Sequence, residues 1–546
     1  MRKLLLILLV LSFLTMASTC RRRGNADAVT VALPEAFTTL DTLTTDKSDA
    51  AAERVRTLMF NSLVKKDANF DYVGELASDI KTSDDGAVLT FTIRDGVKFH
   101  NGKDLTSADV KYTFDQLFAA NGYKAKAFFD TVPDGDVKTQ ANPGAPANVN
   151  SNAAPKAPEI KTKSVPQITS LETPDAKTVV IKLSRPSVRT MLLSNLVAVP
   201  IIPDGSVAQQ KTTPIGTGPF KFVSLDASQN TVELAANDVY WDGPPKFPKL
   251  RLKTVTDATS LQAELQTGGV DIAPNPSNLP PDMIKTMSAG GNLKVDQFEG
   301  SNLQYLVFNV TSAPLDKVKV RQAIGYAIDR DKIVKELLSG QATVADAVLP
   351  PQSWAYSAGH QYNYDPAKAK QLLKEAGYNN EPINFKYGAG NAGTNQYAQV
   401  IQSSLADVGL NVQIETLEVN VIRQQLAQGQ FQMYTGAWIG GNTDPIFMRD
   451  LFATSKIPDN KLVSCCNRGR YSNPEVDKTV EDAINSIDKA EAKQLFEKTW
   501  DLISNDLPLM PLWYPANIVV SNKRIGNVQM SGSGDWGFLK DVTVNQ

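Results

Sequence analysis

An α/β fold in more than one lobe is predicted for this chain of 546 residues, and three observations lead there. The first is length: a single hydrophobic core stops growing well below this size, so two or three globular lobes are needed. The second is composition, since 42% hydrophobic and 21% charged residues are ordinary for a soluble globular protein. The third is the alternation of helix and strand patterns from Asp365 to Leu417, which favours α/β lobes over a sandwich or a bundle.

In chain order, residues 1–20 read as a processing segment. Arg2 and Lys3 precede an apolar run, Leu4 to Met16, that is too short to span a bilayer comfortably. Ala17, Ser18 and Thr19 then lead to Cys20, which resembles a lipoprotein signal whose cysteine is lipidated; an ordinary secretion signal is the alternative. Both export the mature chain, to the periplasm or the cell surface. Residues 21–27 form a tether, and structure starts with a strand at Val29 to Leu33.

Leu89, Phe91 and Ile93 alternate with Thr90, Thr92 and Arg94, as in a half-buried strand, and Val179 to Leu183 reads likewise. Between them, residues 133–166 are rich in Pro, Ala, Asn and Lys, so they are expected to be a loosely held insertion. Asp257 caps a helix carrying Leu261 and Leu265 and ended by Gly268 and Gly269. Val320, Ile324, Ala327 and Ile328 form one helical stripe; Ile333, Val334, Leu337 and Leu338 form another, closed by Gly340. Asp365 with Pro366 starts a helix that Gly377 ends. A strand from Ile383 to Tyr387, a helix from Thr394 to Val408 and a strand from Val412 to Leu417 follow.

Several functions are excluded. A net charge of -2 gives no basic surplus for nucleic acid. Two histidines, His100 and His360, cannot make a zinc cluster, and no metal or cofactor is expected. Adjacent Cys465 and Cys466 pair only with strain, so they read as a free loop pair, with a soft metal as the alternative.

A series of short motifs runs the length of the chain: Thr90 to Gly102, Leu105 to Val110, Gly216 to Phe220, Leu261 to Asp271, Val320 to Ile324, Ala327 to Arg330, Pro350-Pro351, Tyr364 to Lys368, Asn473 to Asp477 and Pro508 to Pro511. In order and spacing it resembles the extracytoplasmic solute-binding proteins of the peptide/nickel class, the capture subunits of ABC importers. That resemblance implies a type II periplasmic-binding-protein-like clamp: two α/β lobes with mixed sheets flanked by helices, joined by a hinge. Residues 28–277 and 509–546 would form lobe I, and 278–508 lobe II. It further implies a monomer that closes on a solute, passes it to the permease subunits and does no chemistry on it.

Peptide-binding relatives place an aspartate three positions after Trp438, where it meets the ligand's α-ammonium; here that position is Gly441. Losing one member of a buried ion pair costs ~3–5 kcal/mol. Capture through a free amine therefore requires a substitute, Asp444 or Asp46, and an oligosaccharide or other non-peptide ligand becomes an alternative. Asn442 lies in the same ligand-facing loop. Trp438, Trp513 and Tyr514 either stack on a sugar face or belong to the core, and the sequence leaves both open. Arg449, Arg468 and Arg470 are placed to meet an anionic group, while Arg321 and Arg330 read as fold-holding ion-pair residues. His100 reads as a turn histidine satisfied by backbone groups.

Two enzymes compete with this reading. Gly388, Gly390 and Gly393 match a dinucleotide fingerprint, with Glu415 and Glu418 downstream, but the segments after Glu418 do not read as continuing βαβ repeats. A secreted hydrolase lacks a G-x-S-x-G elbow and has little histidine for a triad.

Overall fold

The computed structural model describes residues 28–545, apart from 48, 134–161, 288, 290, 390–391, 439, 441–442 and 459–465. Two large mixed sheets dominate. The first has seven strands in the order Phe220–Asp226, Thr231–Ala236, Lys249–Thr254, Ala28–Leu33, Ile272–Pro274, Asn517–Asn522 and Leu293–Phe298. All six residues of Ala28–Leu33 are buried, as a central strand covered on both faces requires. A four-stranded sheet that includes Val88–Ile93 and Thr178–Leu183 shares the core of this lobe. Leu89, Phe91 and Ile93 point into that core, as their alternation predicts.

The second large sheet runs Ala342–Val344, Leu509–Pro515, Leu303–Phe308, Met433–Trp438, Ile383–Gly388 and Val412–Leu417. Its last three strands are parallel. Helices Ala392–Asp407 and Val419–Gln428 link them. One expectation is corrected here: the chain does continue after Glu418 as a further strand–helix–strand unit. The sheet then turns antiparallel at Leu303–Phe308, so the parallel run stops at three strands.

The lobe boundaries also move. Strand Leu293–Phe298 belongs to the first sheet and Leu509–Pro515 to the second, so the chain crosses after Phe298 and after Pro515. Both crossings fall later than the 278 and 509 expected from sequence. They lie side by side: a Cβ on Gly300 would sit 1.9 Å from the Pro515 carbonyl oxygen, so only glycine allows this close approach. A paired crossing of this kind is what a hinge needs.

Of the insertion, Thr162–Pro166 is a strand paired antiparallel with Phe129–Pro133, rather than loose chain. Residues 134–161 lie outside the described residues, as do the signal, Cys20 and the tether. Among the described residues no helix is long and apolar enough to cross a membrane.

The motif Gly216-Thr217-Gly218 is built into the first lobe beside helix Ala50–Met59. The Gly218 amide donates to the Met59 carbonyl at 2.9 Å. The Thr217 hydroxyl donates to Asn61 Oδ1 at 3.1 Å. His100 clasps the motif from the other side: Nδ1 accepts from the Gly216 amide at 3.3 Å, and Nε2 donates to the Gly218 carbonyl at 3.0 Å. These partners fix the neutral Nε2–H tautomer, the backbone-satisfied histidine expected from the sequence. Burial, with Lys221 adding to it, pulls the imidazole pKa down to about 4.

Arg321 and Arg330 hold the fold chiefly through carbonyls rather than ion pairs, which amends the expectation. Arg321 donates to the carbonyls of Leu315, Asp506 and Leu507. Arg330 donates to those of Ala345, Pro511 and Tyr362, and also pairs with Asp346 at 3.3 Å.

Candidate functional site

Trp438 ends strand Met433–Trp438, and Gly388 ends its parallel neighbour. These two carboxyl ends lie at one edge of the sheet, the edge at which open α/β sheets bind ligands. The Trp438 ring stacks on Tyr305 (6.4 Å, 26°) and meets Phe447 edge-on at 4.9 Å. Arg468 lies over the same ring, 6.0 Å from its centroid, and also reaches Tyr305. Tyr305, Trp438 and Arg468 line a small pocket with Cys466, Asn467 and Leu509. Two buried donors in it, Trp438 Nε1 and Arg468 Nε, have no hydrogen-bond partner among the described residues. Unmet buried donors are costly, so the pocket is electrostatically suited to an acceptor.

The loop after Trp438 reaches the opposite lobe. Lys66 Nζ donates to Thr443 Oγ1 at 2.6 Å, and the Tyr72 hydroxyl donates to Asp444. Asp444 is 3% exposed, and its other oxygen accepts from the Ile446 amide at 3.0 Å. Burial raises the Asp444 pKa, while Lys66 opposes the shift. Its carboxylate is thus engaged by protein, tying the lobes together. Lys66 and Tyr72 escaped the sequence reading because they sit on a pair of three-residue strands, too short for any periodicity.

The remaining candidates are dispersed. Asp46 is exposed, on the loop that follows the Asp41 turn. Trp513 is 3% exposed and edge-packed on Tyr397. Tyr514, equally buried, donates to the carbonyls of Ala347 and Leu349 at 2.6 Å. Both rings take the core role that the sequence left open. Gly441 and Asn442 lie outside the described residues. Arg470 packs on Gly429 and donates to Ala427, away from the Trp438 ring. Cys466 is disulfide-bonded, which corrects the expectation of a free pair; Cys20 and Cys465 lie outside the described residues. Among the described residues there is no cluster of side chains able to hold a metal ion.

Two α/β lobes, paired crossing strands and a donor-lined wall at the sheet edge define a solute-binding clamp. The chain belongs to the bacterial extracellular solute-binding proteins, family 5, whose model ("Middle") matches residues 71–460. It is 29% identical to heme-binding protein A of Haemophilus influenzae over 493 residues, covering 86% of this chain and 84% of that protein. It is 30% identical to glutathione-binding protein GsiB of Pectobacterium atrosepticum over 516 residues, covering 91% and 90%. Its fold matches that of the ABC transporter substrate-binding protein CtaP of Listeria monocytogenes, with a TM-score of 0.78 at 20% identity over 95% of this chain and 99% of that one. The chain is therefore an extracytoplasmic, non-catalytic binding protein that captures a peptide or similar polar solute for delivery to an ABC permease.

Proposed function

We propose that the captured solute is a short peptide of the charge of glutathione, held through its carboxylates rather than through a free amine, since Asp444 is engaged by protein and Asp46 is exposed. The observation that carries this reading is the pair of buried donors without a partner among the described residues, Trp438 Nε1 and Arg468 Nε, in one small pocket of the second lobe. A carboxylate is the acceptor that a guanidinium and an indole N–H satisfy best. Glutathione and heme, the ligands for which the two relatives are named, both carry two carboxylates. An oligosaccharide is the less favoured ligand, because Tyr305 and Arg468 already cover the Trp438 ring that a sugar would stack on.

Calorimetry tests the proposal. Reduced glutathione should bind, and its diester, with both carboxylates masked, should not. Arg468→Gln should weaken glutathione binding by roughly tenfold to a hundredfold, the range for a charge-assisted hydrogen bond. Equal binding of the diester, or tight binding of a neutral oligosaccharide alone, would sink the assignment.

We also propose that the mature chain is a monomer held to the membrane through lipid on Cys20, on the strength of the cysteine that closes its signal segment. Cys20→Ala should then move the protein from the membrane fraction to the soluble one; retention at the membrane would argue for another anchor.

A further inference from the structure

The lobes meet at a second place, around a cluster of buried charge. Asp130, on strand Phe129–Pro133 of the first lobe, is 4% exposed. Arg185 of the same lobe donates to it. From the second lobe, Lys456 Nζ reaches the Asp130 carboxylate at 3.2 Å and Arg449 Nη1 at 3.6 Å. Arg449 is itself buried and also lies 3.6 Å from Asp450. Glu481 completes the group, held by attraction to Arg449 and Lys456. Beside this cluster, Met191 of the first lobe packs against the second lobe's core.

The arrangement divides cleanly between the lobes. Among the described residues, the first contributes Asp130 and Arg185, and the second contributes Asp450, Glu481, Arg449 and Lys456. Each half carries compensating charges, so neither strands an uncompensated ion when the lobes part. Closure adds only the cross-lobe pairs, and these form in a single relative placement of the lobes. A cluster of this kind contributes little to folding, but it biases a two-state hinge and fixes its closed register.

We propose that Asp130 is a latch of the closed clamp: it couples the lobes through Lys456 and Arg449, independently of which solute lies between them. Asp130→Asn keeps the shape, removes the charge and leaves the two second-lobe cations without an acceptor across the gap. Small-angle scattering of the mature chain, dialysed free of small molecules at low salt, reads the outcome. Wild type should match the compact form described here, and Asp130→Asn should expand, its closed-to-open ratio falling about tenfold or more. Lys456→Gln, which alters only the second lobe, should expand the chain in the same sense. The double variant should be no more open than Asp130→Asn alone, because Asp130 is the shared partner of both second-lobe cations. A purely structural role would lower the melting temperature of Asp130→Asn and leave its scattering unchanged. That result, or a wild type already as open as its variants, would overturn the proposal.

Discussion

Gly216→Ala is expected to prevent the chain from accumulating as a folded protein. A Cβ there would lie 2.1 Å from the Met59 carbonyl oxygen and 2.6 Å from the Phe60 ring. The nearest obstacle is helix-end backbone, which cannot swing aside as a side chain can. Forcing extra volume into a packed site typically costs ~1–3 kcal/mol, and here the obstacle is rigid backbone and the amide of Gly216 must also keep its bond to His100, which puts the cost at or above the top of that range. Gly268→Ala is the control. Gly268 has φ of 76° but open space around it, so its cost is limited to the ~1–2 kcal/mol of a left-handed backbone. Soluble yield and urea midpoints compare the two. Equal midpoints would show that the contact at Gly216 does not constrain the fold.

The second large effect is on pH dependence. The folded state holds His100 near a pKa of about 4, against 6.5 for an unperturbed histidine. Above the unfolded value both states are neutral, and the stabilisation is complete. As pH falls through 6.5 the unfolded chain takes the proton first, so stability declines until about pH 4, where the folded state also protonates. The loss attributable to this residue is at most about 3 kcal/mol. Burial is the main reason the folded state resists the proton, and protonating Nδ1 would also set an N–H against the Gly216 N–H. Asp444, whose pKa is raised by burial, works in the opposite direction in the same acid range. The informative quantity is therefore the difference between wild type and His100→Gln. Urea unfolding near neutrality and in mild acid should show a markedly shallower decline in the variant; parallel declines would mean that His100 is not the group being protonated.

Local signals in the sequence were reliable where the physics is local. Asp257 and Asp365 each cap the helix expected of them, the former closed by Gly268 in the left-handed conformation. Strands at residues 88–93, 178–183 and 383–388 follow the expected patterns. What failed was assignment between sheets. Strands Leu293–Phe298 and Leu303–Phe308 are separated by only a few residues around Gly300, yet they belong to different lobes, and nothing in their composition tells them apart. Trp513 and Tyr514 are neighbours on one strand, facing opposite sides of a sheet whose two faces are both covered, so no alternation marks them as core.

The functional wall was half legible. Trp438 is legible because the family resemblance fixes its place three positions before the ligand-contacting residue, and Arg468 is legible only as one arginine among three. Tyr72 and Lys66 meet Asp444 and Thr443 from more than 370 positions away, a distance at which no pattern in a single sequence speaks. Arg321 likewise takes its carbonyl partners from the end of a distant helix, so its charge misleadingly suggested an acidic partner.

Native mass spectrometry of the mature chain as purified, followed by release of the guest, tests the central claim most directly. The expected spectrum shows one small anionic peptide per chain, recovered with its mass unchanged after prolonged incubation with the protein. A neutral sugar in its place would contradict the assignment of the ligand. Fragments of an intact peptide added beforehand would contradict the reading of this protein as a receptor.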